Sequence, residues 1–160
     1  MAGAPQPIDF KPLIGTDEAT IDDKGRIILN KKKRERLGPN FVISIGAVGC
    51  LVAHPEIVWD RYLSEIFSYE SINEGRAQYS RLVLGTAEDE MNCDMQGRFV
   101  VPSRLRDICK LKDKVLLVGC GDRIEFWDKA EWDLYCEDPD GYGKKRVDEI
   151  QRAYGRMVGK

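Results

Sequence analysis

Apolar residues along this chain recur at two spacings, and the switch between them marks out its elements. Phe41–Ile45 and Leu51–Ala53 are short apolar runs on either side of a glycine-containing bend, and Val115–Val118 with Ile124–Trp127 repeat the arrangement. Such pairs predict β-hairpins. Ile27–Leu29 and Phe99–Val101 are denser and shorter, each entered through a Gly-Arg step, and a short β segment, Ala19–Ile21, precedes the first. Elsewhere the spacing is three and four. Val58, Trp59, Tyr62, Leu63, Ile66 and Phe67 form the stripe of a core-facing helix over Pro55–Phe67. Ser71 with Glu74 has the spacing of a capping box and predicts a helix to about Leu84, and Asp128 with Glu131 predicts another before Trp132. Asp138–Gly141 reads as a loop, followed by a last amphipathic helix marked by Val147, Ile150, Tyr154 and Met157.

These elements come in two copies. With Asp22 laid on Asp94, Gly25 falls on Gly97, Arg26 on Arg98, Lys32 on Arg104 and Arg34 on Arg106. One residue of slippage later, Phe41–Gly46 matches Lys114–Gly119 and Trp59 matches Trp132. Each copy predicts a β segment, an Asp-x-x-Gly-Arg turn closing a hairpin, a second strand, a short basic helix and a further hairpin. The helix begins near Asn30 as N-cap in one copy and near Pro102 as first helical residue in the other.

Half of this chain is too short to bury an adequate core. The copies are therefore expected to pack about a pseudo-two-fold axis, their strands forming one small barrel or sheet with both turns on a common surface. This is an α+β organisation. It divides into a disordered extension over 1–14, which holds three prolines, a first repeat over 15–68, a linker helix over 69–84, a second repeat over 85–136, and a C-terminal loop and helix over 137–160.

Composition changes the picture little: 42% apolar and 32% charged residues suit a globular chain better than a disordered one. No apolar run approaches a membrane span, and the start lacks a secretory pattern, so the cytoplasm is the expected compartment. Cys50, Cys93, Cys109, Cys120 and Cys136 are scattered and odd in number, fitting reduced apolar residues rather than disulfides or a zinc site. Charge matters more. The net value of −2 conceals +4 over Asp22–Arg36 and +3 over Asp94–Lys114, with −9 on the remainder. Two basic islands on an acidic body suit a polyanion partner.

The chemistry rests on the paired turns. An arginine beside a tight turn reaches a phosphate or the O6/N7 edge of guanine, and a two-stranded ribbon fits the major groove. One such turn alone reads as hairpin punctuation, with the aspartate bonding its own backbone. Two copies, each beside a basic helix, favour contact with double-stranded DNA. The Lys31–Arg36 run and its thinner counterpart, Arg104, Arg106 and Lys110, read as phosphate-positioning surfaces, with Arg34 and Arg106 alternatively bracing the fold against Asp22 and Asp94. No catalytic or metal constellation emerges. His54, the single histidine, precedes Pro55 at a helix start; Gly119–Asp122 fits a hairpin turn; Trp59, Trp127 and Trp132 sit in apolar patterns.

The segments Asp22–Arg26 and Asp94–Arg98, with Arg81–Gly85 between them, closely resemble the MraZ family, and each half resembles the AbrB/SpoVT DNA-binding domain. The resemblance covers about residues 15–135. It implies a swapped-hairpin, double-psi-type barrel made within one chain, assembly into homo-oligomeric rings, association with the nucleoid, and binding to direct repeats upstream of the division and cell-wall gene cluster. Carried over residue by residue, it implies DNA contact by Lys24 and Arg26 in the first motif and Arg98 in the second. The reading of the residues themselves adds Lys32 and Arg104 from the basic helices, with Asp22, Gly25, Asp94 and Gly97 forming the turns. Asn30 stands where the family has a proline, as Pro102 does in the second copy, and the N-terminal extension is longer than usual. No cofactor, small-molecule substrate or membrane partner is expected. A ring that binds and inhibits another protein is the second reading and an antitoxin-like regulator the third.

Overall fold

The computed structural model describes residues 3–4, 8–146 and 148–160, with 144–146 described by their backbone alone. Val147, assigned above to the last amphipathic stripe, lies outside the described residues.

The first repeat comprises strands β1 (Leu13–Thr20) and β2 (Arg26–Ile28), helix α1 (Lys31–Leu37), strands β3 (Phe41–Ile45) and β4 (Leu51–Pro55), and helix α2 (Glu56–Phe67). Helix α3 (Glu74–Val83) links it to the second. That repeat comprises β5 (Glu88–Met91), β6 (Arg98–Val100), α4 (Ser103–Ile108), β7 (Lys114–Gly121), β8 (Ile124–Asp128) and α5 (Lys129–Glu137). Helices α6 (Pro139–Arg146) and α7 (Asp148–Val158) follow.

The hairpin expected at each Asp-x-x-Gly-Arg turn does not persist beyond the turn. Locally it closes, with Asp22 N–H donating to the Arg26 carbonyl at 3.1 Å and Asp94 N–H to the Arg98 carbonyl at 2.8 Å. The flanking strands then part and pair with the other repeat. β1 pairs with β7 and β5 with β3, while β2 pairs with β6 as a separate two-stranded ribbon. The large antiparallel sheet has the order β1-β7-β8-β4-β3-β5. Exchanging the two repeats reverses that order onto itself, which is the expected pseudo-two-fold symmetry. The result is a mixed α+β fold with a mostly antiparallel sheet.

The core follows from strand alternation. Ile43, Ile45, Leu51, Ala53, Leu117, Ile124 and Phe126 point inward, joined by Ile27, Leu29, Phe99, Val101 and Leu105 from the ribbon and basic helices. Phe99 packs edge-on between Phe41, at 5.3 Å, and Phe126, at 5.7 Å, so residues of both repeats share one core. The opposite face of the sheet carries a second cluster in which Trp127 and Leu116 pack with Tyr142, Trp132 and Tyr135.

Several boundaries differ from expectation. β1 starts at Leu13, fully buried, inside the segment expected to be an extension, and runs eight residues instead of three. Its sequence is poor in apolar residues because the backbone ladder to β7, rather than a buried face, holds it. Arg36 Nη1 donates to the Pro12 carbonyl at 2.6 Å and Arg61 pairs with Asp9, tying down the chain before it. The linker helix is capped by Asn73, whose side chain accepts from Arg76 N–H at 2.9 Å, and not by Ser71. Pro102 occupies the cap position itself and not the first helical position. Asp138–Gly141 opens α6 instead of forming a loop. The Asp138 carboxylate accepts from Gly141 N–H at 3.1 Å, and Pro139 takes the first helical position. In α7 the buried residues are Ile150, Ala153 and Met157, with Tyr154 half-exposed against Tyr79.

Candidate nucleic-acid interface

The two turns are built alike, residue by residue. Asp22 Oδ1 accepts from the backbone N–H of Lys24 at 3.0 Å and of Arg26 at 2.9 Å, while Oδ2 accepts from Arg26 Nε at 2.6 Å. Asp94 does the same with Gln96 N–H, Arg98 N–H and Arg98 Nε, each at 2.9 Å. The Arg26 and Arg98 backbone N–H groups are the main cause holding each carboxyl below the ordinary carboxylate range; partial burial opposes this and the guanidinium adds to it. Gly25 and Gly97 take φ of 78° and 82°, a left-handed conformation that glycine adopts without strain. The motif thus specifies a turn that grips its own arginine by Nε. Among the described residues, neither guanidinium's Nη atoms have a protein partner.

Ribbon register then sets where these arginines stand. Arg26 lies opposite Val100 and Ile28 opposite Arg98, with Ile27 opposite Phe99. Alternation sends Ile27 and Phe99 into the core and leaves Arg26, Ile28, Arg98 and Val100 on one outer face. Arg26 and Arg98 are diagonal neighbours there, a placement that sets residues about 7–8 Å apart or less. Their side chains are 28% and 27% exposed, so they are neither buried nor freely swinging. The turns sit at opposite ends of the ribbon, with the Gly25 and Gly97 carbonyls accepting from Val101 and Leu29 N–H, both at 2.9 Å. The step from Gly25 to Leu29 crosses three paired residues, a rise of roughly 14 Å at ~3.4 Å per residue. Lys24 and Gln96 stand at the exposed tips, and Met95 beside Gln96 is fully exposed.

The basic helices divide their work differently from the sequence expectation. Arg34 and Arg106 do not pair with Asp22 and Asp94, whose carboxylates are taken by their own turns. Arg34 Nη1 donates to the Leu29 carbonyl at 3.4 Å and Arg106 Nε to the Val101 carbonyl at 3.1 Å. Each guanidinium lies against the turn glycine of the opposite repeat. A Cβ on Gly25 would come within 2.9 Å of Arg106 Cζ, and one on Gly97 would overlap Arg34 Nη1. The two repeats therefore brace each other's turns.

Lys33 is not part of a solvated face. It is 4% exposed, pairs with Asp17 and donates to the Ile14 carbonyl at 3.4 Å. It lies one helical turn before core residue Leu37, so its stem must enter the interior. Its match in the second copy, Leu105, is fully buried, a signal the repeat carried. Lys32 is exposed but sits about 160° around α1 from Arg34 at ~100° per residue, over a cleft lined by Phe10, Pro55 and Ile57. Arg104, its match, is exposed yet tied to Glu88 and to the Thr86 carbonyl at 3.2 Å. The fold brings Arg26, Arg98 and Lys24 together and leaves Lys32 and Arg104 on the flanks. Sequence reasoning missed Ile28 and Val100, although strict alternation from buried Ile27 and Phe99 exposes them.

His54 is partly buried beside Trp59 and Tyr62, and the loss of solvent around its ring pushes its pKa down to about 4. Trp59 and Trp127 are buried and Trp132 packs against Trp127. The segment Gly119–Asp122 ends β7 and enters the turn to β8, with Cys120 N–H donating to the Arg123 carbonyl at 2.9 Å. The five cysteines are free. Among the described residues, no helix is long and apolar enough to cross a membrane.

Two fused copies of one strand–turn–strand–helix unit, exchanging strands around a single core and each bracing the other's arginine-bearing turn, define a duplicated-repeat class of small α+β protein. The family model described as "MraZ protein, putative antitoxin-like" matches the chain twice, over residues 13–81 and 84–141. The chain is 34% identical to the transcriptional regulator MraZ of Salinispora arenicola, over 76% of this chain and 85% of that protein. Against the transcriptional regulator MraZ of Moorella thermoacetica it is 34% identical, over 78% and 87%. Against that of Carboxydothermus hydrogenoformans it is 35% identical, over 77% and 85%. The chain belongs to the MraZ family.

Proposed function

We propose that this protein is a transcriptional regulator that binds double-stranded DNA sequence-specifically through the outer face of the β2–β6 ribbon and its two turns, and that it is not an enzyme. The observation that carries the reading is the pair of guanidinium groups on one face, each held at Nε by an aspartate with neither Nη bonded among the described residues. A guanidinium so oriented presents two parallel donors, which suits bidentate contact with guanine O6 and N7 or with a phosphate. Because the aspartate fixes each side chain beforehand, less freedom is lost on binding. Lys24 adds a phosphate contact at the first tip, and Lys32 and Arg104 engage flanking phosphates as the duplex passes the two helices.

The turns themselves are close to neutral, since Asp22, Asp23 and Asp94 offset Lys24, Arg26 and Arg98. Sequence choice therefore rests on the arginines and general affinity on the helices. The exchange of first strands between repeats supports the swapped-hairpin barrel as the underlying fold. The tips differ, Asp23-Lys24 against Met95-Gln96, so one chain reads DNA with a direction. Directional readers in a homo-oligomeric ring suit spaced direct repeats, where avidity multiplies weak contacts. The target implied by the family resemblance is the division and cell-wall gene cluster, with the protein on the nucleoid.

Fluorescence anisotropy on duplexes selected from fragmented genomic DNA tests this. Arg26→Ala and Arg98→Ala should each weaken specific binding by roughly 5- to 150-fold (~1–3 kcal/mol). The double change should leave only salt-sensitive, sequence-independent binding. Undiminished specific binding by the double variant overturns the reading.

A further inference from the structure

We propose that Ile28 and Val100 determine specificity by packing against the C5-methyl groups of thymines beside the guanines that Arg98 and Arg26 engage; this rests on the DNA-binding reading above and extends it. The ribbon face is a checkerboard. Arg26 stands directly across from Val100, and Arg98 from Ile28, so each cation has one aliphatic neighbour on the opposite strand. Ile28 is 56% exposed and Val100 51%, while the residues between them and the arginines are buried. Both copies keep a large β-branched aliphatic at this outward position, where a solvated strand would carry a polar side chain.

The face's chemistry names its occupant. Interleaved with guanidinium groups at every second residue, these aliphatics do not form a continuous apolar patch for a protein partner. They cannot bond phosphate oxygens. In the major groove, by contrast, hydrogen-bonding edges are interrupted by one apolar group, the thymine methyl. Cross-strand neighbours lie about 5 Å apart against a base-pair rise of roughly 3.4 Å. The thymine contacted by each aliphatic therefore falls one or two steps from the guanine contacted by its arginine. Ile28 buries more of a methyl than Val100, so the Arg98–Ile28 unit discriminates more strongly than the Arg26–Val100 unit.

Replacing dT by dU removes one methyl and nothing else, so it isolates the contact. A duplex selected by the full-length protein from a random pool is substituted position by position, and affinity is measured for the natural sequence, Ile28→Ser, Val100→Ser and the double variant. Both positions are exposed, so folding should be retained, which circular dichroism and light scattering check. One or two dU substitutions should weaken the natural sequence about fourfold each, the effect of returning one methyl-sized group to water. Each sensitive position should become insensitive in one single variant and not the other. Equal affinity for dT and dU duplexes at every position, or methyl sensitivity that survives the double variant, overturns the proposal. So does a double variant whose loss is identical on both duplexes and accompanied by a changed oligomer mass, which would assign these residues to a contact between copies. If binding still depends on Arg26 and Arg98 while methyl removal has no effect, this proposal falls and the DNA-binding reading stands. If no duplex is selected at all, both fall.

Discussion

At Asp22 and Asp94 a single carboxylate does two things: it closes a turn by accepting two backbone N–H groups, and it holds an arginine by Nε. The first task is common to many turns and the second is not, which is why the motif carries information only when structure shows where the arginine goes. His54 illustrates a residue set by its surroundings. Burial disfavours its charged form, leaving a pKa of about 4 against 6.5 unfolded, with Asp122, Arg123 and Glu125 exerting smaller and partly opposing influences. Because the folded state resists a proton that the unfolded chain accepts, stability is full above about pH 6.5. It falls as pH drops toward 4, by up to about 1.4 kcal/mol per unit. Thermal melts from pH 7.5 to 4.5 should show this slope, and His54→Phe, which keeps the packing against Trp59 and Tyr62, should flatten it. An unchanged slope in the variant would place the titration elsewhere. In sequence His54 read as structural, and the structure packs its ring against Trp59 and Tyr62; those partner rings could not be named there, because they reach it through the docking of α2.

Among the elements, the braced turns make the sharpest demand on residue type. Both glycines have left-handed backbones, so alanine at either costs about 1–2 kcal/mol from conformation alone. Their surroundings differ. At Gly25 the nearest atoms belong to the flexible end of Arg106, which can move aside. At Gly97 an added Cβ also meets the Leu29 carbonyl at 3.0 Å, and backbone cannot yield so easily. Gly97→Ala should therefore lower the urea midpoint more than Gly25→Ala, by a further ~1 kcal/mol; equal losses would show that the Arg34 and Arg106 braces are energetically alike. The glycines, the basic helices and both later hairpins were legible in sequence because each rests on local propensity. Strand β1 was legible only at its end, near Ala19 and Thr20, since only Leu13 along its length is fully buried. The start of α6 (Pro139–Arg146) was misread as a loop because aspartate followed by proline serves equally as a turn and as a helix start.

For the molecule as a whole, the pairing of β1 with β7, β4 with β8, β3 with β5 and β2 with β6 means that four ladders join the repeats. Each half alone would expose these edges and half of a shared core. A chain ending after residue 84 should accordingly lack a cooperative melt as a monomer or recover structure only by self-association, whereas the full chain should unfold in one transition. Circular dichroism with sedimentation distinguishes these, and an independently folded monomeric half would contradict the interleaving.

Local chemistry therefore determined the duplication, the identity of most strands and helices, and the two turns with their arginines, because caps, alternation and left-handed glycines act over a few residues. Tertiary structure alone decided which strands pair, that Lys33 braces the interior, that Arg34 and Arg106 cross to the opposite repeat's turn, and that Ile28 and Val100 share a face with Arg26 and Arg98. The placement of Lys33 depends on β1 folding back beside α1. The other outcomes depend on contacts between the two repeats, up to about a hundred residues apart in the chain, where the entropy of closing the chain is repaid only when the whole core forms at once.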